Sequence, residues 1–120
     1  MSTRTVMIGE KAVPMIAFAS CNIYYKRVFS EDPFVAIASA NDDGSSSAPL
    51  FSFAQQMGYI MARMASANGD RAKLNKMSFD DYVDWLEDFA VSDMLNAMPD
   101  IMALYNGQQN TMSKEKKEDT

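Results

Sequence analysis

The sequence contains no histidine and only one cysteine, Cys21. One thiol cannot close an internal disulfide, and without histidine the usual zinc ligand sets cannot be assembled. No stretch approaches the run of about 18 apolar residues that could span a bilayer, and Met1 to Glu10 lacks the apolar core of a signal peptide. A cytoplasmic protein with no membrane contact is expected. A basic run is missing too: 11 basic and 16 acidic side chains give a formal charge of −5. Affinity for a phosphate backbone leans on clustered Lys and Arg, so nucleic acid is not an expected partner.

What is present fits one modest core. A chain of 120 residues, 48% of them apolar, has the size and composition of a single globular domain with tails. Charge is unevenly spread. Ser78 to Asp88 holds Asp80, Asp81, Asp84, Glu87 and Asp88 with no base, whereas Met1 to Ser30 holds Arg4, Lys11, Lys26 and Arg27 against Glu10 alone.

The pattern predicts a mainly α fold, a small domain of about five helices behind a short N-terminal β-hairpin. Thr5 to Phe18 reads as two extended apolar stretches around Gly9-Glu10-Lys11, with Pro14 restricting it to an edge hairpin. Ser20 can cap a first helix over Cys21 to Phe29. Asp32-Pro33 is a helix start that leads Phe34, Val35, Ile37 and Ala38 into a second helix ending at Asn41. Asn41 to Ser47 holds only turn formers and is expected to be an exposed loop.

The clearest periodicity runs through Leu50, Phe53, Ala54, Met57, Ile60, Met61 and Met64, with steps of 3, 1, 3, 3, 1 and 3. That is one helical stripe, predicted from near Pro49 to near Ser66. Gly58 within it costs about 1 kcal/mol against alanine and suits a close packing contact. Ser78-Phe79-Asp80-Asp81 is a capping pattern, with the Ser78 hydroxyl aimed at the Asp81 amide and Met77 and Tyr82 placed to staple the start. The expected inward face of that helix is Phe79, Tyr82, Val83, Leu86, Phe89 and Ala90. Asp81, Asp84 and Asp88 are expected opposite.

Ser92 or Asp93 can cap a last helical stretch through Met94, Leu95, Met98, Ile101, Met102, Leu104 and Tyr105, kinked or restarted at Pro99 and closed at Gly107. The domain is thus expected over residues 1–107. Gln108 to Thr120 has one apolar side chain, Met112, and is predicted to be a disordered polar tail.

No catalytic constellation emerges. The acids of Asp80 to Asp88 could in principle share a cation, but a charge run on a helix usually faces solvent. Asn41-Asp42-Asp43-Gly44 resembles the start of a calcium loop, yet the closing acid would fall at Leu50. Cys21 lacks a histidine partner and reads as a small buried hydrophobe. The protein is expected to be no enzyme and to need no cofactor. Among its 11 methionines, those at Met57, Met61, Met64 and at Met94, Met98, Met102 follow helical stripes. Such side chains fill cores, and on a surface they adapt to a partner segment. Trp85 lies between the apolar and acidic faces of its helix, either as an anchor for a partner or in ordinary packing.

The order of segments resembles the tail assembly chaperones of long-tailed phages that infect Gram-positive bacteria. It comprises Tyr25-Lys26-Arg27-Val28-Phe29, the long helix through Phe53 to Ala65, Asp84-Trp85-Leu86-Glu87-Asp88-Phe89, and Met98 to Asn106 with its Pro99-Asp100-Ile101 start. A Thr111, Ser113 and lysine-bearing tail follows. Two departures are the Ser30 position, often glycine in that family, and a tail less purely basic.

The resemblance implies a non-enzymatic protein of the host cell cytoplasm. It would bind and solubilise the tape measure protein, help recruit the major tail tube protein, and be absent from the finished virion. Self-association is a further contact compatible with it. The expected partner-binding residues are Asp81, Asp84, Trp85, Asp88, Met98, Met102 and Tyr105. The competing expectations are a small helical phage adaptor that binds a host protein, and a metal-dependent enzyme using the acidic face.

Overall fold

The computed structural model describes residues 3–42 and 48–109. Two strands come first, β1 (Arg4–Ile8) and β2 (Lys11–Met15), paired antiparallel from Arg4↔Met15 to Ile8↔Lys11. The two-residue loop is Gly9-Glu10, and Gly9 takes φ +64°, the conformation that a tight hairpin turn demands at its first central residue. Counting from the closing Ile8↔Lys11 pair, Pro14 stands opposite Thr5 at a non-hydrogen-bonded position, so its missing N–H breaks no ladder bond. Val6, Ile8 and Met15 point inward; the hairpin is fixed beyond its end by the Ile16 amide, which donates to the Met61 carbonyl at 3.2 Å.

Six helices follow among the described residues: α1 (Cys21–Phe29), α2 (Pro33–Asp42), α3 (Ala48–Ala67), α4 (Arg71–Leu74), α5 (Phe79–Leu86) and α6 (Val91–Gln109). The mainly helical fold with an N-terminal hairpin is as the sequence predicts. α3 is the spine. Of its predicted stripe, Phe53, Ala54, Met57, Ile60, Met61 and Met64 are buried and Leu50 is half-buried; Tyr59, Ala62 and Ala67 are buried as well, because β2, α1, α2 and α6 all pack on it. Gly58 lets α6 pack close against α3: a Cβ built there would lie 3.2 Å from Ile101 Cδ1.

Local signals set most helix ends. Asp32 accepts from the Phe34 amide at 2.8 Å ahead of Pro33, and Ser78 Oγ accepts from the Asp81 amide at 3.1 Å, both as predicted. Ser20 differs: it is already helical and makes no side-chain cap. Ser30 ends α1 in the left-handed conformation at φ 57°, where glycine is the residue without steric penalty. α4 is an added turn, capped by Asp70 on the Ala72 amide.

Several boundaries shift. α5 stops at Leu86, four residues early, and turns carry the chain through Glu87 to Phe89. α6 begins at Val91, runs through Pro99 as one helix and continues past Gly107 to Gln109, so Gly107 is no cap. The expected loop at Asn41 to Ser47 gives Asn41 and Asp42 to α2; residues 43–47 lie outside the described residues. Of the tail expected over 108–120, Gln108 and Gln109 are helical, and 110–120 lie outside the described residues.

The core is rich in aromatics. Tyr25 meets Phe29 and Phe53 at ring separations of 5.1 and 5.4 Å, Phe53 meets Tyr105 at 5.5 Å, and Tyr59 meets Tyr82 at 5.4 Å. Tilted and edge-on pairs of this kind add to the burial that holds the helices on α3.

Candidate functional site

The acids of α5 do not act alike. Asp81, in the first turn, is turned toward α3 rather than away from it. Tyr59 Oη donates to Asp81 Oδ2 at 2.6 Å and accepts from the Ser78 amide at 3.3 Å. Arg63 grips the same carboxylate with Nε at 2.9 Å and Nη2 at 3.0 Å, a two-point pair of the geometry that guanidinium favours. Partial burial pushes the Asp81 carboxyl up, but the hydrogen bonds from Arg63 and Tyr59 and the guanidinium charge together hold it below its ordinary value. Burial first, then the Asp81 hydrogen bond and charge, drive the Tyr59 phenol well above its ordinary value. This node ties α5 to α3.

The other expected site residues are dispersed. Trp85 is 6% exposed, edge-on to Phe89 at 5.0 Å and to Tyr59 at 5.9 Å, which is ordinary packing and no free anchor. Tyr105 is buried and its hydroxyl donates to Asn22 Oδ1 at 2.8 Å, joining α6 to α1. Met98 and Met102 are half-buried against the core, while Asp84 and Asp88 face solvent. The expected set therefore falls into a structural node, core side chains and two exposed acids, and the structure does not bring it together as one surface.

The inward face of α5 is also rotated from expectation. Tyr82 and Trp85 are buried, Leu86 and Phe89 half-buried, and Phe79 and Val83 stand 57% and 37% exposed.

Among the described residues, no group of three or more Cys, Asp or Glu side chains is placed to hold a metal ion. Cys21 is fully buried, and that burial pushes its thiol up to about 11, far from a reactive thiolate. A cleft of about 430 Å³ opens where the hairpin tip meets the corner between α5 and α6. Lys11 from the tip donates to the Asp88 carbonyl at 2.9 Å and sits 5.4 Å over the Phe89 ring, so the contacts here dock the hairpin.

The feature with binding potential is apolar, and the sequence reading passed over it. α2 carries no charged residue from Pro33 to Asn41, yet Phe34 and Val35 are 52% and 56% exposed, and Ile23 on the adjoining α1 is exposed too. A helix apolar on all sides normally belongs inside a protein. The missed signal was this lack of charge combined with bulky side chains at neighbouring positions.

No family model, curated protein or solved structure matches the chain. Among the described residues no helix is long and apolar enough to cross a membrane.

Proposed function

We propose that the protein is a tail assembly chaperone of a long-tailed phage. It binds apolar faces of the tape measure protein in the host cytoplasm, keeps that protein soluble while tail tube subunits are recruited, and acts by binding alone. The observation that carries this reading is the uncovered apolar side of α2, Phe34 and Val35 on a helix free of charge from Pro33 to Asn41, with Ile23 exposed on α1. A long helical cargo exposes apolar stripes until the tail closes around it, and an apolar groove or helix face is what such stripes dock on. The order of segments from Tyr25 to the lysine-bearing tail supports the same reading.

The test is aggregation of a purified tape measure segment followed by light scattering. Wild-type chain suppresses the scattering at near-stoichiometric ratios, and Phe34→Glu with Val35→Glu loses most of that effect while keeping the wild-type circular dichroism. Suppression unchanged by the double substitution would refute the assignment of α2. A gene lying between those for the major tail protein and the tape measure protein is the expected genomic setting, and separates this reading from an adaptor for a host protein.

A further inference from the structure

α5 packs inward through Tyr82 and Trp85, which are buried against Tyr59 of α3, and through Asp81, which Arg63 and Tyr59 hold there. Its outward side has a pattern of its own. Phe79, Val83 and Glu87 succeed one another four residues apart and form one row, and Asp80 and Asp84 form the row beside it. Phe79 and Val83 are 57% and 37% exposed, and the three acids are exposed as well. The Phe79 ring rests on Tyr82 at 5.9 Å, so the apolar ridge is held in place before any partner arrives.

The acids on this side are unfavourably placed in the free helix. Asp80 and Asp84 are like charges four residues apart, Asp84 and Glu87 stand at the C-terminal end of α5, and its last turn carries no base. Like charges at this spacing repel, and carboxylates at a helix C-terminus oppose its dipole. Arg63–Asp81 is the one ion pair among the described residues, so no base within it offsets these three acids.

We propose that the outward face of α5 docks a basic amphipathic helix of another protein. An apolar side chain of the partner covers the Phe79–Val83 ridge, and its lysines or arginines lie against Asp80, Asp84 and Glu87. The ridge supplies the desolvated centre, the acids select the sign of the partner, and a positive partner relieves the repulsion that the free helix carries. A second copy is the wrong occupant, because joining two α5 faces sets acid on acid in a chain of net charge −5. The chain's own end is no better, since Lys114 to Asp119 sets three lysines among three acids. This site is independent of the α2 surface.

The probe is a synthetic helical peptide of about 18 residues, five turns, with a leucine stripe flanked by lysines. Its control is the same peptide with glutamate in place of lysine. Titrated into the full chain and followed by amide NMR shifts, the lysine peptide binds at low salt with a dissociation constant below about 1 mM and shifts residues 79–87. It weakens about tenfold or more as salt rises from about 0.05 M to about 0.5 M, and the glutamate peptide does not bind. Phe79→Ser with Val83→Ser, and Asp84→Lys with Glu87→Lys, each lower the affinity about fivefold or more at unchanged circular dichroism. Glu115→Lys with Glu118→Lys changes the net charge by as much as the second pair and lowers the affinity less than about twofold. No binding, shifts centred away from α5, a ridge variant that binds as wild type does, or an equal loss in the Glu115 and Glu118 control would overturn the proposal.

Discussion

Replacing Asp81 by alanine should destabilise the fold severalfold more than replacing Asp84, although both are acids on the same short helix. Asp81 accepts from Tyr59 Oη at 2.6 Å and from Arg63 at 2.9 and 3.0 Å, whereas Asp84 is exposed and in no ion pair. The tyrosine is a core residue, so its bond to a charged acceptor counts nearly in full; the Arg63 pair, with side chains 34% and 32% exposed, is discounted for solvent screening. Together with the lost acid at the positive end of α5, the expected loss is about 2 to 3 kcal/mol for Asp81→Ala. For Asp84→Ala it is within about 0.5 kcal/mol. Urea titration by circular dichroism measures both, and a double-mutant cycle with Arg63→Ala should show coupling. Equal midpoints for Asp81→Ala and Asp84→Ala, or additive losses in the cycle, would refute the node.

Four further outcomes are expected. Because the folded Asp81 carboxyl is held below its ordinary value, its contribution is present above the unfolded range near pH 4 and is lost as pH falls through the folded value; acid titration should show this loss in wild type and not in Asp81→Asn. Ser30→Gly should raise stability by about 0.5 to 1 kcal/mol, since Ser30 is held at φ 57°, and a thermal melt reads the gain. Gly58→Leu should cost about 1 to 3 kcal/mol through collision with Ile101 and should couple favourably to Ile101→Ala in a denaturant cycle. Cys21 should react with a chromogenic disulfide at pH 8 only at the rate of unfolding, because it is buried and its pKa is about 11.

The legible parts of the fold were those encoded within a few residues. The α3 stripe, the Asp32-Pro33 start, the Ser78 cap and the Gly9 turn each rest on short-range spacing, and each is found where the sequence puts it. α4 has four residues and no room for a period; Asp70 was its one signal.

The expected inward face of Phe79, Tyr82, Val83, Leu86, Phe89 and Ala90 differs from the buried one because it leaves out Trp85. Ring contacts of Trp85 with Tyr59 and Phe89 bury that side chain and leave Phe79, Val83 and Ala90 outward. Arg63 and Asp81 are 18 positions apart, and no local pattern joins them. Hence an acid expected on the solvent face is a structural pin, and the exposed apolar surfaces at α2 and at Phe79 came into view only with the packing.

The most direct test of the central claim is amide hydrogen exchange of the full chain with and without a purified tape measure segment. The account predicts slowed exchange across α2 and the adjoining turns of α1 on binding, with the β1–β2 hairpin unchanged. Binding that leaves α2 unprotected, or protection confined to the hairpin, would contradict it.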